Sequence, residues 1–244
     1  MAQSAPSRRP SFWVPSLALV LAAAIGAGGL LQSRRADRFV TVKGVAEREV
    51  EADLVVWPMG VSVTADDLPA AQGELAAHLE RVRAHLREFG VDSTEILLQG
   101  TQVTDRVADR YARQEAGQLR YILTATLSVR SSNLDAVDAA YRNVGRLIGD
   151  GVPLSAPGGY GELRPTWVFT GLNEVKPGMI ADATASAREA AERFAQDSGS
   201  RLGRIRRADQ GVFQILPRTP GIQESFERHK QVRVVSTLQY YLDG

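Results

Sequence analysis

Cysteine is absent from the 244 residues. That absence excludes disulfides, thiolate nucleophiles, iron–sulfur clusters and thiolate zinc sites, together with the lipid-bearing cysteine of a lipoprotein. Lysine is scarce: only Lys43, Lys176 and Lys230 occur, so nearly all positive charge is arginine. Neither sign of charge dominates. With 29 basic against 28 acidic residues the formal net charge is +1, which argues against a nucleic-acid partner captured by bulk electrostatics. No G-x-S-x-G, no G-x-G-x-x-G and no phosphate-loop lysine are present, so nucleophile-elbow, dinucleotide and phosphate sites have no signature and no cofactor is expected. What remains is an ordinary globular composition, 44% hydrophobic and 23% charged, that must hold by core burial.

One long hydrophobic run exists. Residues 1–10 are polar and carry Arg8 and Arg9, and no residue from Phe12 to Leu31 is charged. About twenty residues in a helix rise roughly 30 Å, the thickness of a bilayer's hydrocarbon core. Trp13 stands where an interfacial aromatic belongs, and Arg34, Arg35 and Arg38 close the far side. The run is longer than a signal core and arginines follow it, so it reads as an uncleaved anchor with its N terminus inside. The alternative is a signal cleaved after Ala22-Ala23-Ala24 or Gly26-Ala27-Gly28. The domain reading is therefore residues 1–34 as tail and membrane segment, contacting the membrane through 12–31, and 35–244 as one soluble region.

Within that region Phe39–Ala46 alternates as a strand, Glu47–Asp53 is charged and turn-like, and Leu54–Val63 is a second strand, giving a hairpin. Pro58 makes the second strand an edge or bulged one. Asp66 or Asp67 caps a helix whose Leu75, Leu79, Val82, Leu86 and Phe89 share one face, with Gly90 ending it. Strands follow at Ile96–Thr104 and Leu119–Arg130, joined by a long polar connection. Ser132 or Asn133 caps a second helix with Leu134, Val137, Tyr141, Val144 and Ile148 inward. A strand near Pro165–Leu172 precedes an alanine-rich helix from Pro177 to Phe194, ended by Gly199; strands at Ile205–Ile215 and Lys230–Leu242 close the chain. The order ββαββαβαββ is α+β, with mixed, largely antiparallel sheets and helices packed on one face. The Pro58 strand and the C-terminal strand read as edges available for pairing.

The segments FVTVKGVAEREVEAD, LREFGVDSTEILLQGTQVT, LRYILTATLSVRSSNLDAV, MIADATASAREAAERFAQDSGSRLGRIRRADQG and VRVVSTLQYYLD resemble, in order, the SIMPL-domain family over residues 39–242. Two departures stand out: the family's usual Pro-Asp is Ala52-Asp53 here, and Trp57-Pro58 interrupts the second strand. The resemblance implies a bacterial protein held at the inner membrane with its soluble region in the periplasm, or released there after cleavage. It also implies homo-oligomers, some ring- or channel-like, and links to stress tolerance. It implies no catalytic residue.

Candidate chemistry in the residues themselves is thin. His78 and His85 lie seven apart on the first helix, too far for one metal, and read as boundary positions beside the core stripe; Glu74 and His78 form an i,i+4 pair. His229 sits in a polar loop without a nucleophile signal. Gly158-Gly159-Tyr160-Gly161 reads as a plain turn. The carboxylates Glu47, Glu49, Glu51 and Asp53 read as a solvated strand face, and Arg201, Arg204, Arg206 and Arg207 as a solvated turn. No catalytic, cofactor-binding or metal residue is assigned. The expectation is a non-enzymatic, self-associating envelope scaffold or binding module, with an envelope hydrolase as the alternative.

Overall fold

The computed structural model describes residues 38–108, 117–159 and 161–243. The expected membrane segment 12–31 lies outside the described residues, and among those residues no helix is long and apolar enough to cross a membrane. Among the described residues, nine strands and four α-helices follow one another: β1 (Phe39–Glu51), β2 (Leu54–Ala65), α1 (Leu68–Glu88), β3 (Ile96–Asp105), β4 (Tyr121–Ser131), α2 (Leu134–Arg142), α3 (Gly145–Gly149), β5 (Leu154–Ser155), β6 (Thr166–Val168), α4 (Leu172–Asp197), β7 (Arg201–Gln210), β8 (Gln214–Pro217) and β9 (His229–Asp243). The architecture is α+β with antiparallel sheets. One sheet runs β1-β9-β7, with β8 also on β9; the other runs β3-β4-β2-β5, with β6 also on β2.

The described chain forms two compact units. The first holds 38–46, 180–212 and 234–243, and the second holds 47–179 and 213–233, so β1, α4 and β9 each contribute to both. In the second unit, alternation sends Val55, Trp57, Met59, Val61 and Val63 of β2 and Leu123, Ala125, Leu127 and Val129 of β4 to one face. There they meet Leu75, Leu79, Val82 and Leu86 of α1 and Val137 of α2. In the first unit the helix offers only small side chains: Ala183, Ala187, Ala191 and Ala195 are buried at every fourth position. A Cβ on Gly44 would stand 1.9 Å from the Ala183 carbonyl oxygen, so glycine lets β1 lie directly against α4.

Helix ends follow the sequence closely. Asp67 accepts from the Ala70 amide and Asn133 from the Ala136 amide, at 3.0 and 3.2 Å. Gly90, Gly151 and Gly199 have positive φ, and the Val91, Val152 and Ser200 amides reach back to Leu86, Leu147 and Ala195 as Schellman caps.

Several expectations change. Glu47–Glu51 is strand rather than turn, and β1 and β2 form no hairpin. The Ala52 amide bonds Arg228 beside β9 and the Asp53 amide bonds Val168 in β6, so one residue step carries the chain between sheets. The C-terminal strand is no edge, because β9 lies between β1 and β7. Pro58 sits in a sheet interior but at a local gap: β6 pairs with Leu54–Val56 and β5 with Gly60–Val61, leaving its stretch without a ladder on that side. The second helix breaks at Asn143–Val144, whose amides bond i−3 carbonyls. The break shifts the phase, so Leu147 is buried and Ile148 is 56% exposed. The strand expected from Ile205 to Ile215 divides at Gly211, whose amide bonds the Val235 carbonyl at 2.9 Å. The third helix starts at Leu172, and Pro177 lies inside it.

Candidate functional site

The sheet face of the second unit that turns away from α1 is polar. On β4 it presents Thr124 and Thr126 between the core positions, and on β2 Ser62, whose hydroxyl lies 2.9 Å from that of Thr124. β3 adds Gln102 and Gly100, paired with Thr124 and Thr126. The Pro157–Gly159 turn stands over this face, with Gly158 and Gly159 at φ 71 and 77°. Together these make an open groove of about 340 Å³ lined by Gln99, Gly100, Thr101, Gln102, Thr124, Thr126 and Gly158. Every lining residue is uncharged. The groove offers hydrogen bonds to a polar ligand, and its described lining residues include no acid or base to move a proton.

β3 borders that groove as the outer strand. Among the described residues it hydrogen-bonds only to β4. Ile96–Thr104 carries no charge, and Leu97, Leu98 and Val103 are 53, 48 and 51% exposed. Uncovered, uncharged edges of this length are the kind that natural sheets usually blunt with charge.

The acidic row is an exposed strand face, as expected, and it is also a paired ladder. Glu47 accepts from Gln231 at 2.9 Å and meets Arg233 at 3.3 Å, Glu49 meets Arg218 at 3.6 Å, and Glu51 meets Arg228. Arg228 also bonds Asp135 at 2.6 Å; that bond first, and then Glu51, raises its pKa further. These partners explain why Glu47–Glu51 stays in strand. Asp53 has a separate task. Its carboxylate accepts the Thr170 amide at 2.8 Å, the Thr170 hydroxyl at 3.0 Å and the Gly171 amide at 3.0 Å, fixing the backbone just before α4.

A second hollow of about 300 Å³ is lined by Arg218, Thr219, Glu227, Arg228 and His229. Its anion-binding amides are already taken. Glu227 accepts from the Thr219 and Arg218 backbones, and the Thr219 side chain, then those amides, holds its carboxyl below the usual glutamate range. Beside it Lys230 is fully buried, its Nζ donating to the Glu224 carbonyl at 2.6 Å and facing the Glu224 carboxylate at 2.5 Å.

His78 and His85 are buried, not boundary residues: two full turns put both on the inner face of α1. They do not share a site. His85 Nε2 lies 3.0 Å from the Ala140 carbonyl, whereas His78 Nε2 is 3.6 Å from Glu74. The arginine cluster lies on β7 rather than in a turn. Arg206 stacks over Phe39 at 4.0 Å, Arg204 over Tyr241 at 5.7 Å, and Arg207 pairs with Asp209.

Residues 40–238 match the SIMPL family, described as a protein family of unknown function (DUF541). The chain belongs to the SIMPL family. No curated protein matches it. In this SIMPL chain the segments that carry the resemblance do architectural work: Gly44 admits α4, Asp53 latches the start of α4, the alanine row fills the first unit, and Ser198-Gly199 ends the helix. Sequence reasoning missed the β3 edge, the latching role of Asp53 and the burial of Lys230. The edge had a readable signal, nine uncharged residues in an expected strand; the other two depend on partners far along the chain.

Proposed function

We propose that the chain is a membrane-anchored envelope protein whose soluble SIMPL region self-associates and serves as a scaffold or binding module. It is anchored through residues 12–31, faces the periplasm, and contributes to stress tolerance, as the family resemblance implies. The observation that carries self-association is the exposed apolar surface on β3, with Val107 and Leu119, 57 and 38% exposed, at the ends of the connection that follows it. The polar groove beside it suits ligand binding, because its described lining residues supply hydrogen bonds. Light scattering of the full chain in detergent or nanodiscs tests the reading. Particles of two or more chains are expected; a strict monomer at high concentration overturns it. Protease added outside spheroplasts is expected to cut the soluble region, and full protection would overturn the periplasmic placement.

A further inference from the structure

β3 has an internal symmetry that its sequence does not advertise. Reading inward from both ends of Glu95–Arg106 gives an acid against a base, then Ile96 against Asp105, Leu97 against Thr104, Leu98 against Val103, and Gln99 against Gln102. In an ordinary strand such pairs, an odd number of residues apart, would point to opposite faces. Here a register shift between Leu98 and Gly100 sets Gln99 aside and inverts the alternation. As a result Leu98 and Val103 share a face, opposite the core residues Leu127 and Leu123, while Leu97 and Thr104 share the other, opposite Ser128 and Ile122.

We propose that β3 is the self-association strand: two copies of the chain pair β3 to β3, antiparallel about a two-fold axis, with Leu98 of one copy opposite Val103 of the other. This rests on the self-association reading and names its surface. The register brings Leu98 of each copy against Val103 of the other, covers edges that pair with nothing else among the described residues, and sets Glu95 of each copy opposite Arg106 of the other. The charges favour a second copy over another extended peptide, because Glu95 and Arg106 meet only when the strand meets its own inverse, and the one charge between them, Asp105, is already paired with Arg120 at 2.8 Å. β7, the outer strand beside β9, shows the contrast: Arg201, Arg204, Arg206 and Arg207 would face like charges in a self-pair, and two register shifts distort its ladder.

The absence of native cysteine makes the test direct. Full-length chains carrying Leu98→Cys are mixed with differently tagged chains carrying Val103→Cys, in detergent or nanodiscs, and mildly oxidised. The mixed pair is expected to cross-link into a dimer on a non-reducing gel, while each variant alone is not. Val103→Lys is expected to lower the mass from light scattering toward the monomer. Glu95→Arg and Arg106→Glu should each lower it as well, and the double exchange should restore it. An unchanged mass for Val103→Lys with no mixed cross-link, in a wild type that still assembles, overturns the β3 surface and leaves self-association standing. A monomeric wild type overturns both.

Discussion

The two units of this chain solve the packing of a helix on a sheet in opposite ways. In the second unit β2 and β4 present Trp57, Met59, Val61 and Leu127, and α1 answers with Leu75, Val82 and Leu86, so the layers are held apart by large side chains. In the first unit α4 answers β1 with alanines, and Gly44 brings the backbones together. Volume is what the second unit must keep, and space is what the first must not lose. The largest effect is therefore expected where volume is deleted. Trp57 is fully buried and meets Tyr141 edge-on at 5.6 Å, so Trp57→Ala should cost about 3–5 kcal/mol in denaturant unfolding. Trp57→Phe should cost much less, because it also removes an indole N–H that is buried without a partner. In the first unit the harmful change is an addition. Gly44→Ala would press a methyl group on the Ala183 carbonyl, and about 1–3 kcal/mol of destabilisation is expected from overpacking. A neutral Gly44→Ala would break the contrast between the units.

Smaller effects belong to polar latches in the second unit. Asp53→Ala leaves two amides and a hydroxyl before α4 without their acceptor and should cost about 1 kcal/mol, as the loss of a helix cap does. Amide exchange should quicken at Thr170 and Gly171 while the Leu127 region is unchanged. Glu227 should show its part through pH. Its folded pKa is lowered from 4.5, so its contribution is complete above that ordinary value and is lost as pH falls through the lowered folded one. The Arg218 and Thr219 amides are expected to stay protected at neutral pH and to exchange faster only in acid; protection independent of pH would show that the carboxylate does not hold that loop.

The difference between the units also explains what could be read in advance. The caps at Asp67, Asn133, Gly90 and Gly199 and the faces of α1 and β4 depend on neighbours a few residues away, and the sequence displays those neighbours directly. The switch of sheets at Ala52-Asp53 is set by Arg228 and Val168, and the true start of α4 by a carboxylate 117 residues earlier. Local pattern holds no trace of either partner. Charge misled in a consistent direction: Glu47, Glu49 and Glu51 looked like turn residues, when they are exposed strand residues, because Arg233, Arg218 and Arg228 were distant in sequence, and His78 and His85 looked marginal because polarity was weighed above their phase on the helix. The groove was half legible. The strands expected at Ile96–Thr104 and Leu119–Arg130 supply most of its lining, but the Gly158 turn beside it arrives from another part of the chain.

The smallest effect on stability is expected at the outer strands, and it discriminates most about function. Val103 on β3 and Ile205 on β7 are 51 and 48% exposed, so lysine at either site should change unfolding stability by no more than about 0.5 kcal/mol. Their consequences for assembly should differ. β7 already carries four arginines, so one more positive charge alters little, and Ile205→Lys is expected to keep the wild-type mass in light scattering. β3 has no charge between Ile96 and Thr104, so Val103→Lys installs the kind of residue by which sheet edges avoid pairing. Equal loss of mass in both variants would show that added charge alone disperses the protein. Loss confined to Val103→Lys would tie assembly to β3, the strand of the two with the longer uncharged stretch.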